Sequence, residues 1–261
     1  MNETLRPAEV YENQFVPALF RQWGPIVAKA AAVDAGARVL DVACGTGALT
    51  LAAARRAGPT GEVIGVDPNE DMLEVARRHD APIEWKVGRA ESLPLPDEHV
   101  DAVVSQFGFM FFDDKTRALA EMLRVLRPGG RFAMAVFDAI DHSPGYSVLA
   151  ELLNRRIGPA AADAIRAPFV SGDPEHLRAL CAEAGFPEVA ITRREGTVCF
   201  PSPRSLISTE RACVWTLGGM LDDAQFDRLE RDIDESFAPF RDPDGATSFS
   251  MPALLVTTEK H

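Results

Sequence analysis

The sequence predicts an α/β fold on a mostly parallel sheet of seven strands. Short apolar runs alternate with helical stretches between residues 36 and 138. Glycine- or proline-bearing turns sit at several of the junctions. Two more strand-like runs follow in the C-terminal part. Alternation of this kind implies right-handed crossovers and parallel strands, with ligands bound beyond the carboxyl ends of the strands.

Residues 1–35 read as an amphipathic helical lid. Tyr11, Phe15, Leu19, Phe20 and Trp23 recur at near-helical spacing, and Pro17 is an expected break. Arg38–Ala43 is the first strand. The glycine-opened stretch Gly45–Ala57 is a helix stopped by Gly58-Pro59. Glu62–Val66 is the second strand. Asp67 caps the next helix, Asn69–His79, with Pro68 in its first turn and Arg77, Arg78 and His79 in its last. Ile83–Val87 is the third strand, Leu93–Glu98 a proline-rich loop with room for a short helix, and Val100–Phe107 the fourth strand. A helix at Asp114–Leu126 ends in the turn Arg127-Pro128-Gly129-Gly130 before the fifth strand, Arg131–Phe137. Residues 139–185 read as a helical cap. Residues 186–261 return to the sheet through strands at Glu188–Val198 and Thr247–Thr258, with a second helical insertion at 204–237.

The 261 residues can bury a large core without disulfides or metals. A net charge of −12 repels phosphate backbones, so no nucleic-acid partner is expected. Cys44, Cys181, Cys199 and Cys213 form no CxxC pair, which suits a reducing, cytoplasmic setting. No signal peptide and no membrane span are expected. A homodimer is the base-rate expectation for assembly.

The run Val39-Leu40-Asp41-Val42-Ala43-Cys44-Gly45-Thr46-Gly47 carries a strand into a glycine turn that opens a helix. The glycines allow close backbone approach, and the helix start offers free N–H groups. A dinucleotide fingerprint needs a third glycine or alanine where Thr50 stands. A pyrophosphate would also gain little from a carboxylate as close as Asp41. S-adenosylmethionine, with a sulfonium and an ammonium, suits an acidic strand end better. Asp67 closes the second strand, where a carboxylate can accept from both hydroxyls of a ribose; the equivalent acid in dinucleotide folds follows the glycines by about 20 residues.

VLDVACGTG resembles the glycine-rich first motif of the class I S-adenosylmethionine-dependent methyltransferases, in the group that includes the quinone-biosynthesis enzymes. The similarity covers residues 36–137. It implies a Rossmann-like seven-stranded, mostly parallel sheet with helices on both faces, an antiparallel last strand and helical cap insertions. It also implies that the backbone of Ala43, Gly45, Thr46 and Gly47 lines the methionine and ribose portion, with Asp41 near the amino group. Asp67 with its neighbour Pro68 would hold the ribose, and Met72 would pack on the adenine face. Ala90 would offer its N–H to the ring, with Glu91 nearby. Arg89 departs from the family, which has an acid there, because a guanidinium cannot accept a hydrogen bond. Ser105–Phe112 matches the fourth motif, with Gln106 and Phe107 facing the methionine portion. Phe111 and Phe112 are expected in the core.

The resemblance implies methyl transfer to a small organic acceptor, releasing S-adenosylhomocysteine. Two rival readings are a protein that binds this donor without methylating and an NAD-dependent oxidoreductase on a similar sheet. The accepting atom stays open among O, N, C and S. Pocket candidates in the variable segments are Tyr11, Phe15, Tyr146 and Trp215, with Trp23, Phe169, Met220 and Phe226 behind them. Candidate bases are His142, Asp138, Asp141 and Glu210. His142 follows the fifth strand, and its ordinary pKa suits proton transfer. The five histidines lack ligand spacing, so no metal is expected.

Overall fold

A computed structural model describes residues 6–186 and 188–261. Residues 1–5 of the expected lid, and residue 187 of the C-terminal part, lie outside that range. Strands β1 (Arg38–Val42), β2 (Glu62–Asp67), β3 (Ile83–Val87), β4 (Val100–Gln106) and β5 (Leu126–Phe137) lie parallel, and β6 (Ala190–Arg194) and β9 (Ala253–Glu259) complete the sheet. The order is β3-β2-β1-β4-β5-β9-β6, and β9 runs antiparallel to both neighbours. This is the seven-stranded, mostly parallel sheet expected from the alternation, with the Rossmann-like form and antiparallel last strand that the family resemblance implies. The order reverses beside β1, which pairs β2 on one side and β4 on the other.

Both faces of the central strands are buried. Along β5, Ala133, Ala135 and Phe137 enter one core, and Phe132, Met134 and Val136 enter the other. Period-two alternation divides an almost wholly apolar run between two layers. Helices α2 (Trp23–Ala30), α3 (Ala48–Ala57) and α6 (Pro144–Arg156) contribute to the first core. Helices α5 (Lys115–Val125) and α8 (Pro174–Glu183) contribute to the second.

Several local expectations are corrected. Pro17 does not break the N-terminal helix. After α1 (Pro7–Val10) the chain widens into a π-helix, Tyr11–Phe20, in which Arg21 N–H donates to Val16 O, five residues back. Pro17 sits inside that wider coil. Helix α4 spans Glu70–Ala76, shorter than expected, and its cap is Asn69, whose side chain accepts from Asp71 N–H. Asp67 is instead the last residue of β2, paired with Val87. The Leu93–Glu98 loop forms no helix; Arg124 ties it down through Leu93 O, Leu95 O and Asp97. The turn Arg127–Gly130 bulges out of β5, because Val100 pairs Leu126 and Ala102 already pairs Arg131.

Two runs read as single strands are each split. Glu188–Val198 divides into β6 and β7 (Thr197–Phe200), and Thr247–Thr258 into β8 (Thr247–Ser250) and β9. β7 and β8 pair as a separate ribbon. The breaks coincide: Met251 N–H donates to Gly196 O, and Pro252 has no N–H for a ladder. A Cβ on Gly196 would come within 2.2 Å of the Trp23 ring, so the break also marks a close approach.

Candidate active site

A cavity of about 400 Å3 opens at the carboxyl ends of β1, β2 and β4. Two non-glycine residues on its wall adopt left-handed backbone, Ala43 (φ 59°) after β1 and Phe107 (φ 53°) after β4. Backbone in this region is costly and gathers at functional sites. Between them Gly108 approaches so closely that a Cβ there would lie 2.5 Å from the Ala43 Cβ. The Phe107 ring is held by stacking on Phe137 at 4.2 Å and by the edge of Trp23 at 5.6 Å.

The β1 loop is clamped by the acid of β2. Asp67 Oδ2 accepts from Gly45 N–H and Oδ1 from Asn69 N–H, both at 2.9 Å. Burial pushes the Asp67 carboxyl up, while the two N–H donors pull it back. Each oxygen keeps a further lone pair, and Asp67 lines the cavity. Asp41 lies behind the wall, 1 % exposed, with Thr50 Oγ1 donating to its Oδ2 at 2.6 Å. Burial first, with Asp67 adding to it, raises its carboxyl to about 7. Three buried oxygens at this end of the sheet have no partner among the described residues: Asp41 Oδ1, Thr46 Oγ1 and Gln106 Oε1. Buried polar groups without partners carry a cost. Gln106 Oε1, an amide oxygen on the cavity wall, is a pure acceptor, which suits a cationic group in the cavity.

Ala43, Gly45, Asp67, Pro68, Met72, Ala90, Glu91, Gln106 and Phe107 all line the cavity, as do Tyr11, Phe15, Tyr146 and Trp215. Thr46 and Gly47 are buried beneath the loop. His142 is not on the wall. It is 46 % exposed and lies 3.0 Å from Asp138, whose carboxylate also meets Arg193. Asp138 and Asp141 likewise stand off the cavity, and Glu210 is the one candidate base that lines it. Phe111 is not core: it is 47 % exposed, and its ring lies 6.3 Å from Trp215 at the cavity edge. Trp23 is core, Met220 is exposed, and Phe226 packs under the Arg211 guanidinium. Arg89 turns to Asp113 and Glu91. Among the described residues no three metal-ligating side chains gather.

The raised Asp41 carboxyl has a measurable consequence. An unfolded aspartate titrates near 3.9, roughly, so between that pH and about 7 the folded protein holds a proton that the unfolded chain has lost. Stability of the donor-free protein should therefore fall as pH rises through this window. In thermal scans from pH 5 to 8, Asp41→Asn, which cannot ionise, should show a smaller downward drift than wild type. An equal drift in both would contradict this.

A methyltransferase-domain family profile matches residues 40–134, from β1 to β5. A ubiquinone/menaquinone biosynthesis C-methyltransferase of Ectopseudomonas mendocina is 35 % identical over 200 residues, covering 69 % of this chain and 77 % of the relative. The YcgJ protein of Bacillus subtilis shares the fold at a TM-score of 0.60 and 23 % identity, over 92 % of this chain and 98 % of that one. A phosphoethanolamine N-methyltransferase of Haemonchus contortus, solved with S-adenosylhomocysteine, shares it at 0.59 and 16 % identity, over 97 % and 56 %. With this identity and coverage, and with the strand order observed, the chain belongs to the class I S-adenosylmethionine-dependent methyltransferases, enzymes that here serve to methylate a small molecule.

Proposed function

We propose that this enzyme methylates a neutral, largely apolar, ring-bearing molecule, with donor and acceptor held at opposite ends of one cavity. The observation that carries the reading is the continuity of that cavity. Its polar end is built from Ala43, Gly45, Asp67 and Gln106, and its other end from Phe137, Tyr146 and Phe169. Aromatic rings join the two ends: Tyr146 meets Phe169 at 5.4 Å, Phe169 stacks on Phe137 at 5.2 Å, and Phe137 stacks on Phe107. An apolar pocket with few placed polar groups is the usual form of a small-molecule site.

At the polar end, Asp67 would hold the ribose hydroxyls of S-adenosylmethionine. Gln106 would face its amino group, with Asp41 behind the wall acting on it directly or through water, the backbone of Ala43 to Gly47 would line the methionine portion, and Met72 and the Ala90 N–H would meet the adenine. The unpartnered oxygens of Asp41 and Gln106 fit that assignment. The donor supplies a methyl group on positively charged sulfur, open to displacement by an electron pair. The protein's share is alignment and the exclusion of water. Tyr11 lies over the loop, its ring 3.8 Å from where a Gly45 Cβ would be, and so closes the donor end beneath the N-terminal helix.

The relatives' names record methylation at carbon in quinone biosynthesis, which supports a ring-bearing acceptor. The acidic balance and unpaired cysteines favour small-molecule work in a reducing cytoplasm over nucleic-acid binding. A coupled assay for S-adenosylhomocysteine release tests the reading across matched acceptors. One- and two-ring apolar compounds should be turned over, and charged aliphatic amines and carboxylates should not. Release with the aliphatic set alone would refute it.

A further inference from the structure

The polar groups at the apolar end of the cavity are not among those assigned above to the donor. Glu210, near the end of α9 (Pro203–Ala212), is 1 % exposed, yet its carboxylate meets no cation among the described residues. Its partners are neutral hydroxyls. Tyr146 Oη on α6 donates to Oε1 at 2.8 Å, and Thr216 Oγ1 donates to Oε2 at 2.7 Å. Both Glu210 and Tyr146 line the cavity. Arg211, next in the chain, turns outward to Asp223. The other titratable group near Glu210 is Cys213, beyond α9, which also lies close to Tyr11 of the N-terminal helix. A buried carboxylate without a counter-ion is costly, and two hydroxyls are modest compensation for a purely structural tie.

Resting on the reading above, we infer that Tyr146 and Glu210 form a proton relay that deprotonates the acceptor, and therefore that the acceptor carries an acidic hydroxyl of phenol or enol type. The acceptor O–H hydrogen passes to Tyr146 Oη as the Tyr146 hydrogen passes to Glu210 Oε1. The freed electron pair, on that oxygen or on the ring carbon it activates, forms the new bond to the methyl carbon. The carbon–sulfur pair leaves with sulfur. After transfer to oxygen, Glu210 returns its proton to solvent; after transfer to carbon, the ring carbon gives its own hydrogen to water and Glu210 returns its proton through Tyr146 to the ring oxygen, so either route releases one proton overall. Burial raises the Glu210 carboxyl to about 7, where it can both take and release a proton near neutral pH. Burial beside Glu210 pushes the Tyr146 hydroxyl well up, so it carries protons without resting as phenolate.

The test uses 2-naphthol, a photoacid whose emission reports whether a proton acceptor is within reach. With the whole chain and no donor, bound 2-naphthol should emit as its anion in wild type and as the neutral form in Glu210→Gln and Tyr146→Phe. With S-adenosylmethionine, kcat should rise with pH through about 7 in wild type. It should fall about 100-fold in both variants, the scale of lost proton transfer. KM for 2-naphthol and the affinity for S-adenosylhomocysteine should stay within about twofold of wild type, and Glu210→Asp should restore part of the rate. A network that merely ties α6 to α9 would shift melting without moving the emission or the pH profile. Neutral emission in wild type, failure to bind 2-naphthol, or kcat of Glu210→Gln close to wild type would each overturn the relay. Failure of wild type to bind S-adenosylhomocysteine would instead refute the donor site beneath it.

Discussion

Asp67→Ala is expected to weaken S-adenosylhomocysteine binding by about 100-fold or more while the protein stays folded. Two effects combine. Hydrogen bonds to a charged group contribute about 1.5–3 kcal/mol each, and a ribose diol would take two from this carboxylate. At about 1.4 kcal/mol per decade, losing both exceeds two decades in affinity. The substitution also releases Gly45 N–H and Asn69 N–H, so the β1 loop keeps only the Cys44 N–H bond to Val66 O as its backbone tie to the end of β2. Folding should survive, because the β2 ladder is formed by backbone and Asp67 sits at its last position. Calorimetry with S-adenosylhomocysteine reads the affinity, and circular dichroism reads the fold. Asp67→Asn, which keeps one acceptor oxygen, should fall between wild type and alanine. Affinity within threefold of wild type in Asp67→Ala would remove the ribose role.

Trp23→Ala should be the most destabilising of these changes. Trp23 is fully buried where the N-terminal helix meets the sheet. It braces the left-handed Phe107 with its ring edge and lies against Gly196, the break between β6 and β7. Truncating a buried aromatic costs about 3–5 kcal/mol. For a chain near this size, about 2–4 °C are lost per kcal/mol, so the melting temperature should drop by roughly 10 °C. Trp23→Phe should cost much less than alanine. Among the described residues the indole Nε1 has no hydrogen-bond partner, so phenylalanine removes an unsatisfied donor whose burial costs about 1–3 kcal/mol along with part of the ring. Scanning calorimetry of the two variants checks the order. Equal losses for both would mean that the nitrogen is satisfied in solution.

Local sequence decided the α/β core. Runs such as Val39–Val42 and Arg131–Phe137 are short, apolar and bounded by turn residues, and a strand buried on both faces produces this pattern whatever surrounds it. The acids Asp41 and Asp67 were legible as charges at the ends of apolar runs, and the structure places both at the carboxyl ends of β1 and β2; their part in holding a ligand is the proposal made above. The left-handed backbone at Ala43 and Phe107 was not legible, since neither residue type prefers that conformation. His142 was misleading because its type suits proton transfer, yet its place after β5 pairs it with Asp138 on the exposed side.

The relay pair shows where the division falls. Glu210 lies on the same helical face as Leu206 and Ile207, a local hint of burial that the α9 sequence carries. Its partner Tyr146 is 64 residues away in the chain. What the sequence determined alone was the sheet, its crossovers and the acids at the strand ends, because near-neighbour spacing encodes them. Only the tertiary structure decided the π-helical turn of the N-terminal segment, the split of the C-terminal strands and the meeting of Tyr146 with Glu210. Those depend on contacts between segments far apart in the chain, for which spacing carries no signal.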